Sequence, residues 1–234
     1  MRERVKIIGK LPLSPHTKAK LLLVYAGMKP STAFCFRRDI IIDTITSTGT
    51  EMRAGDIVSE KEVQEIALAL SLVGIPYLLI TKAYRTKGYL LYGDKKSRLP
   101  ITSEVFTKEF IVHVAKNREW LERKVRARTD EESGICYGFP PSAIEAYVGK
   151  RKRLRSDKKF PVELKAAAAI AWFIKSKDNW REELKTGELW AEAVRELNPT
   201  LYDALVNPEK YGLGKYGMQL SEAEKKRILS IGSE

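Results

Sequence analysis

The sequence predicts a mixed fold of the α+β or α/β class: an N-terminal small mixed sheet flanked by helices, followed by a mainly helical C-terminal domain. Three observations carry this. Runs of β-branched and aromatic residues alternate with helically spaced segments up to about residue 130. The composition then changes sharply at Thr129-Asp-Glu-Glu-Ser-Gly134, and almost every later apolar stretch has helical spacing between Pro- and Gly-bearing turns. The expected units are therefore an α/β domain with a basic surface over 1–130 and a mainly helical domain over 134–234.

Ser14-Pro15 supplies a cap and a proline for the first helical turn, and Leu21, Leu22, Val24 and Tyr25 continue that helix to Gly27. Arg38 to Thr46, rich in isoleucine and threonine, reads as a buried strand, followed by a turn or loop from Thr48 to Gly55. Ser59 and Glu62 form a capping box for a helix through Val63, Ile66, Ala67, Leu70 and Val73, which Gly74 and Pro76 stop. Tyr77–Tyr84 and Gly88–Tyr92 fit a hairpin turning at Arg85-Thr-Lys87. Ser103 to about Arg128 fits one long helix through Val105, Phe106, Phe110, Ile111, Val114, Trp120, Leu121 and Val125. Further helices are expected over Pro141–Val148, Val162–Lys175, Gly187–Leu197, Thr200–Val206 and Glu222–Ile231.

No apolar run is long enough to span a bilayer, and the N-terminus lacks the pattern of a signal peptide, so a cytoplasmic protein with no membrane partner is expected. Cys35 and Cys136 have no ligand-like neighbours and read as reduced, buried thiols. Two glutamines and four asparagines against abundant Lys and Glu point to a hyperthermophile.

The net charge of +12 is unevenly placed: residues 1–159 hold 31 Lys/Arg and 18 Asp/Glu, residues 160–234 hold 11 and 12. Such clustering favours a polyanionic partner. The densest run is Lys150, Arg151, Lys152, Arg153 and Arg155, assigned to phosphate contact, with Arg85, Lys87, Lys95, Lys96, Arg123, Lys124 and Arg126 extending the surface. Tyr84 and Tyr89, interleaved with cations, are candidates for base stacking, a pattern suited to RNA.

No phosphate-binding glycine loop occurs, and neither a cofactor nor a metal is expected. Asp39, Asp43, Glu51 and Asp56 leave a metal-dependent nuclease as an alternative, and Cys136 lacks a histidine placed to activate it. The preferred function is a non-enzymatic RNA-binding protein, ribosome-associated and controlling subunit association or dormancy. A regulator bound to DNA or to the transcription machinery is the other alternative, and the Trp- and Tyr-bearing C-terminal part leaves room for a homodimer. Gly134-Ile-Cys-Tyr-Gly-Phe-Pro140 resembles the Gly-x-Cys-Tyr-Gly-Phe/Tyr-Pro signature of an uncharacterised archaeal family, a domain of unknown function. The resemblance covers about twenty residues and implies an archaeal source rather than an activity.

Overall fold

A central helix, buried on several sides, organises the chain. The computed structural model describes residues 2–43, 49–55, 60–91, 98–155 and 160–211, with only the backbone over 37–43, 49–55, 86–91 and 98–105. The elements are α1 (Arg2–Gly9), α2 (Pro15–Tyr25), β1 (Ser31–Asp43), β2 (Gly49–Gly55), α3 (Glu60–Val73), β3 (Tyr77–Leu91), β4 (Arg98–Ala115), α4 (Arg118–Arg126), α5 (Asp130–Cys136), α6 (Pro141–Tyr147), α7 (Lys165–Ile170), α8 (Trp180–Leu197) and α9 (Pro199–Val206). The fold is α+β. Leu21, Leu22, Leu23 and Val24 of α2 are all fully buried, as expected of a helix packed on several sides. It meets α1, β1, α8 and α9. The buried core includes residues on both sides of positions 130–134, from Val5 and Leu22 to Trp190 and Leu205.

The sheet has the order β2-β1-β4-β3, and every pairing is antiparallel, so the expected mixed sheet is antiparallel instead. Its core face is built from cross-strand rows: Thr32 beside Val114 beside Tyr77, Phe34 beside Val112 beside Leu79, Phe36 beside Phe110 beside Thr81. These rows alternate with Ala33, Cys35, Ile111 and His113 on the other face, the period of two that a strand imposes.

Six sequence expectations are corrected here. The helix expected from Ser103 to about Arg128 is, up to Ala115, part of strand β4; only Arg118–Arg126 is helical, started by Asn117, whose side chain accepts from the Trp120 amide at 3.0 Å. The proposed turn Arg85-Thr-Lys87 lies inside the unbroken strand β3, with a register shift between Lys87 and Tyr89. It lacks the Gly or Asn that a tight hairpin turn requires. The loop expected over Thr48–Gly55 contains strand β2, paired to β1, and the strand expected from Arg38 begins at Ser31; Thr46 lies outside the described residues. The helix expected over Val162–Lys175 shrinks to a 3-10 turn plus α7, while that expected from Gly187 begins at Trp180.

Other expectations hold where the local chemistry is strong. Ser14 caps α2 with Pro15 in its first turn. Helix α3 ends as Gly74 adopts φ of 77°, with the Ile75 amide donating to the Leu70 carbonyl. Helices α6 and α9 lie within a residue of their expected bounds. Ser59 and the Glu222–Ile231 helix lie outside the described residues.

Candidate nucleic-acid interface

The Gly-x-Cys-Tyr-Gly-Phe-Pro segment is a structural lock. Thr129 and Glu132 make a capping box that starts α5, and Gly138 at φ of 70° ends it. The Gly138 amide donates to the Ile135 carbonyl and the Phe139 amide to the Gly134 carbonyl, the paired bonds of a Schellman terminus. A side chain at Gly134 would strike Ile144 at 2.8 Å, and one at Gly138 would strike Pro30 at 2.7 Å. The chain just before β1 is thereby pinned beneath the end of α5: Ser31 Oγ donates to the Cys136 carbonyl at 2.7 Å and Lys29 Nζ to the Tyr137 carbonyl at 2.5 Å. Cys136 itself is fully buried, and burial pushes its thiol up, the opposite of an activated nucleophile.

The run Lys150–Arg155 is strapped to its surroundings. Lys150 pairs with Glu131 of α5. Arg151 bridges Glu145 and Asp178, each at 2.8 Å. Arg153 donates to the Ala146 and Tyr147 carbonyls at 3.0 and 2.5 Å, filling the end of α6, with its guanidinium 5.8 Å from the Tyr147 ring. Backbone bonds hold the same stretch against residues 175–177: the Leu154 amide to the Lys175 carbonyl at 2.7 Å, and the Lys177 amide to the Lys152 carbonyl at 2.8 Å. Lys150, Lys152, Arg153 and Arg155 are exposed and Arg151 is half-buried.

On α4 the cations divide. Lys124 lies elsewhere than charge counting suggests: it is 8% exposed, donates to Ser133 Oγ at 3.1 Å and sits 4.8 Å from the Tyr137 ring centre. Burial lowers its pKa, so the ammonium serves the junction of α4 with α5. Arg118, Arg123 and Arg126 point outward, and Lys116 precedes them. Trp120, half-buried, has Lys116 Nζ 5.6 Å and the Arg123 guanidinium 4.9 Å from its ring centre. Arg118 and Arg126 share one acid, Glu122, at 3.8 Å each. Pairs this exposed hold each other weakly, worth about 0–1 kcal/mol, so a phosphate can compete for the arginines.

Arg85 and Tyr84 are exposed on β3. Lys87 and Tyr89 follow on the same strand, described by backbone alone, so the two tyrosines do not face each other across a hairpin. Lys95 and Lys96 lie outside the described residues, as does Asp56. Asp39, Asp43 and Glu51 fall on β1 and β2, with Asp39 opposite Met52 and Glu51 opposite Ile40. Among the described residues no three His, Cys, Asp or Glu side chains are grouped to hold a metal, and no helix is long and apolar enough to cross a membrane. Cys35 is exposed rather than buried.

Sequence reasoning missed Lys29. It is 2% exposed, lies 3.9 Å from the Trp190 ring centre and 4.9 Å from that of Phe139, and burial, then Lys20, lower its pKa to about 7. A single lysine between Met28 and Pro30 carries no sequence signal for such burial. The indole Nε1 of Trp172 is buried without a hydrogen-bond partner among the described residues. No family model matches the chain, and neither a curated protein nor a solved structure matches it.

Proposed function

We propose that the protein is a cytoplasmic, non-enzymatic RNA-binding protein that contacts phosphates through α4 and the exposed members of the Lys150–Arg155 strap. The observation that carries the reading is Trp120 set between Lys116 and Arg123 on a helix whose Arg118 and Arg126 also face solvent. Cations neutralise phosphates while an indole offers a stacking face that tolerates any base. Strap residues Lys152 and Arg155 extend the same charge, since α4 packs on α5 and Lys150 fastens the strap to α5. Ribosomal RNA is the abundant partner of this kind, and control of subunit association or dormancy is the role we assign.

The test is a salt titration of binding to single-stranded RNA. Replacing Arg123 and Arg126 with glutamine should weaken binding and reduce the slope of log K against log salt by about 1.4, from roughly 0.7 per lost phosphate contact on single strands. Unchanged slope and affinity in a folded double variant would refute the surface. Sedimentation of the native protein with ribosomes, abolished by nuclease, tests the assembly.

A further inference from the structure

A cavity of about 220 Å³ lies between α5, α6 and residues 172–174. Five rings line it, those of Tyr137, Phe139, Tyr147, Trp172 and Phe173, with Ala143 of α6 among the aliphatic side chains between them. An apolar cavity of roughly 150 Å³ admits benzene and holds no water, because a buried water needs about two to four polar partners. The space here therefore has room for a single ring or a small fused pair.

Charge decides which ring compound fits. Each of the five rings already has a lysine or arginine over it, from Lys124 at 4.8 Å from the Tyr137 centre to Arg153 at 5.8 Å from that of Tyr147. An aromatic box beside an acid would ordinarily suit an ammonium, but the resident cations take that attraction and repel a second one. A cation over one face draws on the electrons of the ring, so the hydrogen-bearing edge becomes more positive and attracts the π face of a neutral, electron-rich ring. Two polar residues, Asp130 and Ser133, complete the lining. Ser133 Oγ is occupied, accepting from Lys124 Nζ at 3.1 Å. Asp130 is exposed, and its carboxylate takes no ion pair or hydrogen bond among the described residues, so it is the acceptor that remains for an N–H or O–H of the guest.

We propose that this cavity is a binding site for a small neutral aromatic molecule of the indole or phenol class, its ring held among the aromatic side chains and its N–H or O–H donating to Asp130. No lysine or arginine is a ligand in it, so the site stands independently of the phosphate contacts assigned to α4.

The experiment is calorimetry on the full chain with indole and phenol, each beside a ring of similar size that lacks the donor, benzofuran for indole and fluorobenzene for phenol. Indole or phenol should bind saturably and about three-fold or more tighter than its donor-free twin, the difference that one hydrogen bond to an exposed carboxylate makes. Asp130→Ala, which leaves the Thr129 cap of α5 in place, should abolish that preference while the donor-free ring binds as before. Ala143→Val adds two methyl groups at the wall and should weaken binding of every ring about ten-fold. Circular dichroism establishes that each variant is folded; if Ala143→Val is not, the Asp130→Ala comparison decides alone. Absence of saturable binding by both indole and phenol, equal affinity for donor-bearing and donor-free rings in the parent chain, or a preference that survives Asp130→Ala overturns the site. So does a folded Ala143→Val chain that binds as tightly as the parent.

Discussion

Glu183 of α8 is a buried carboxylate on which much of the surrounding chain depends, and replacing it should destabilise the protein in a graded way. It is 1% exposed and accepts from Ser142 Oγ at 2.6 Å, Ser176 Oγ at 2.5 Å and the Ser176 amide at 2.8 Å. The two hydroxyls also accept from Asn179, its side-chain nitrogen to Ser142 and its amide to Ser176, each at 3.1 Å. In Glu183→Ala the hydroxyls can rotate to other acceptors, but the Ser176 amide cannot follow. An orphaned buried donor costs about 1–3 kcal/mol, and each hydrogen bond to a charged acceptor is worth about 1.5–3 kcal/mol. Lys175, half-buried, also loses the carboxylate that supports its charge. Relief of the carboxylate's own desolvation offsets part of this, leaving a net loss of about 3–5 kcal/mol.

Glu183→Gln keeps the shape and one acceptor, and should cost about 1–2 kcal/mol. Urea unfolding followed by tryptophan fluorescence measures both, as a shift in midpoint at constant m. For a chain of this length the alanine variant should melt about 6–20 °C lower. The loss should also loosen the Lys150–Arg155 strap, since Ser176 is the β-bridge partner of Arg153 and the Lys177 amide holds the Lys152 carbonyl. Trypsin should then cut after Lys152 or Arg153 faster in native buffer. An alanine variant within about 1 kcal/mol of the parent, or a glutamine variant as unstable as the alanine one, would refute the reasoning.

The Lys29 environment gives a pH dependence: its pKa, ordinarily 10.5, falls to about 7 in the fold, so between these pH values the unfolded chain holds the extra proton and stability rises with pH. The rise should total about 3–5 kcal/mol, with the Trp190 and Phe139 rings reducing it, and Lys29→Met should flatten it; equal pH slopes in both proteins refute the assignment. Gly187→Ala would place a methyl 2.5 Å from the Ala167 carbonyl oxygen and 3.0 Å from Ala171 Cβ where α7 crosses α8. Overpacking should outweigh the gain in helix propensity and cost about 1–3 kcal/mol, and a higher melting temperature would show that α7 yields instead.

The elements read correctly from sequence are those whose determinants lie within a few residues. Ser14-Pro15 and Gly74 fix the ends of α2 and α3 through caps that act over one turn. Strand β4 is the instructive failure. It is an inner strand, paired on both sides, and apolar residues also occupy its second face, where Ile111 is half-buried. Its alternation is therefore blurred, and Phe106, Phe110, Ile111 and Val114 fall on helical spacing by coincidence, while Phe110, Val112 and Val114 mark the true period. Asn117 could have shown that the helix begins only there.

The site was less legible than the fold because a sequence shows a cation's charge and not its partner. Lys150 meets Glu131 nineteen positions earlier, and Arg151 meets Asp178 twenty-seven positions later. Lys124 and Lys29 turn inward onto Tyr137, one over its ring and the other onto its carbonyl. The densest basic run thus commits Lys150, Arg151 and Arg153 to carboxylates and helix-end carbonyls, whereas the sparser α4 turns Arg118, Arg123 and Arg126 outward, with Arg118 and Arg126 sharing Glu122. Charge density along the chain and charge offered to a partner are different quantities here. It follows that neutralising Lys150 and Arg151 should register first in stability, and neutralising Arg123 and Arg126 first in affinity.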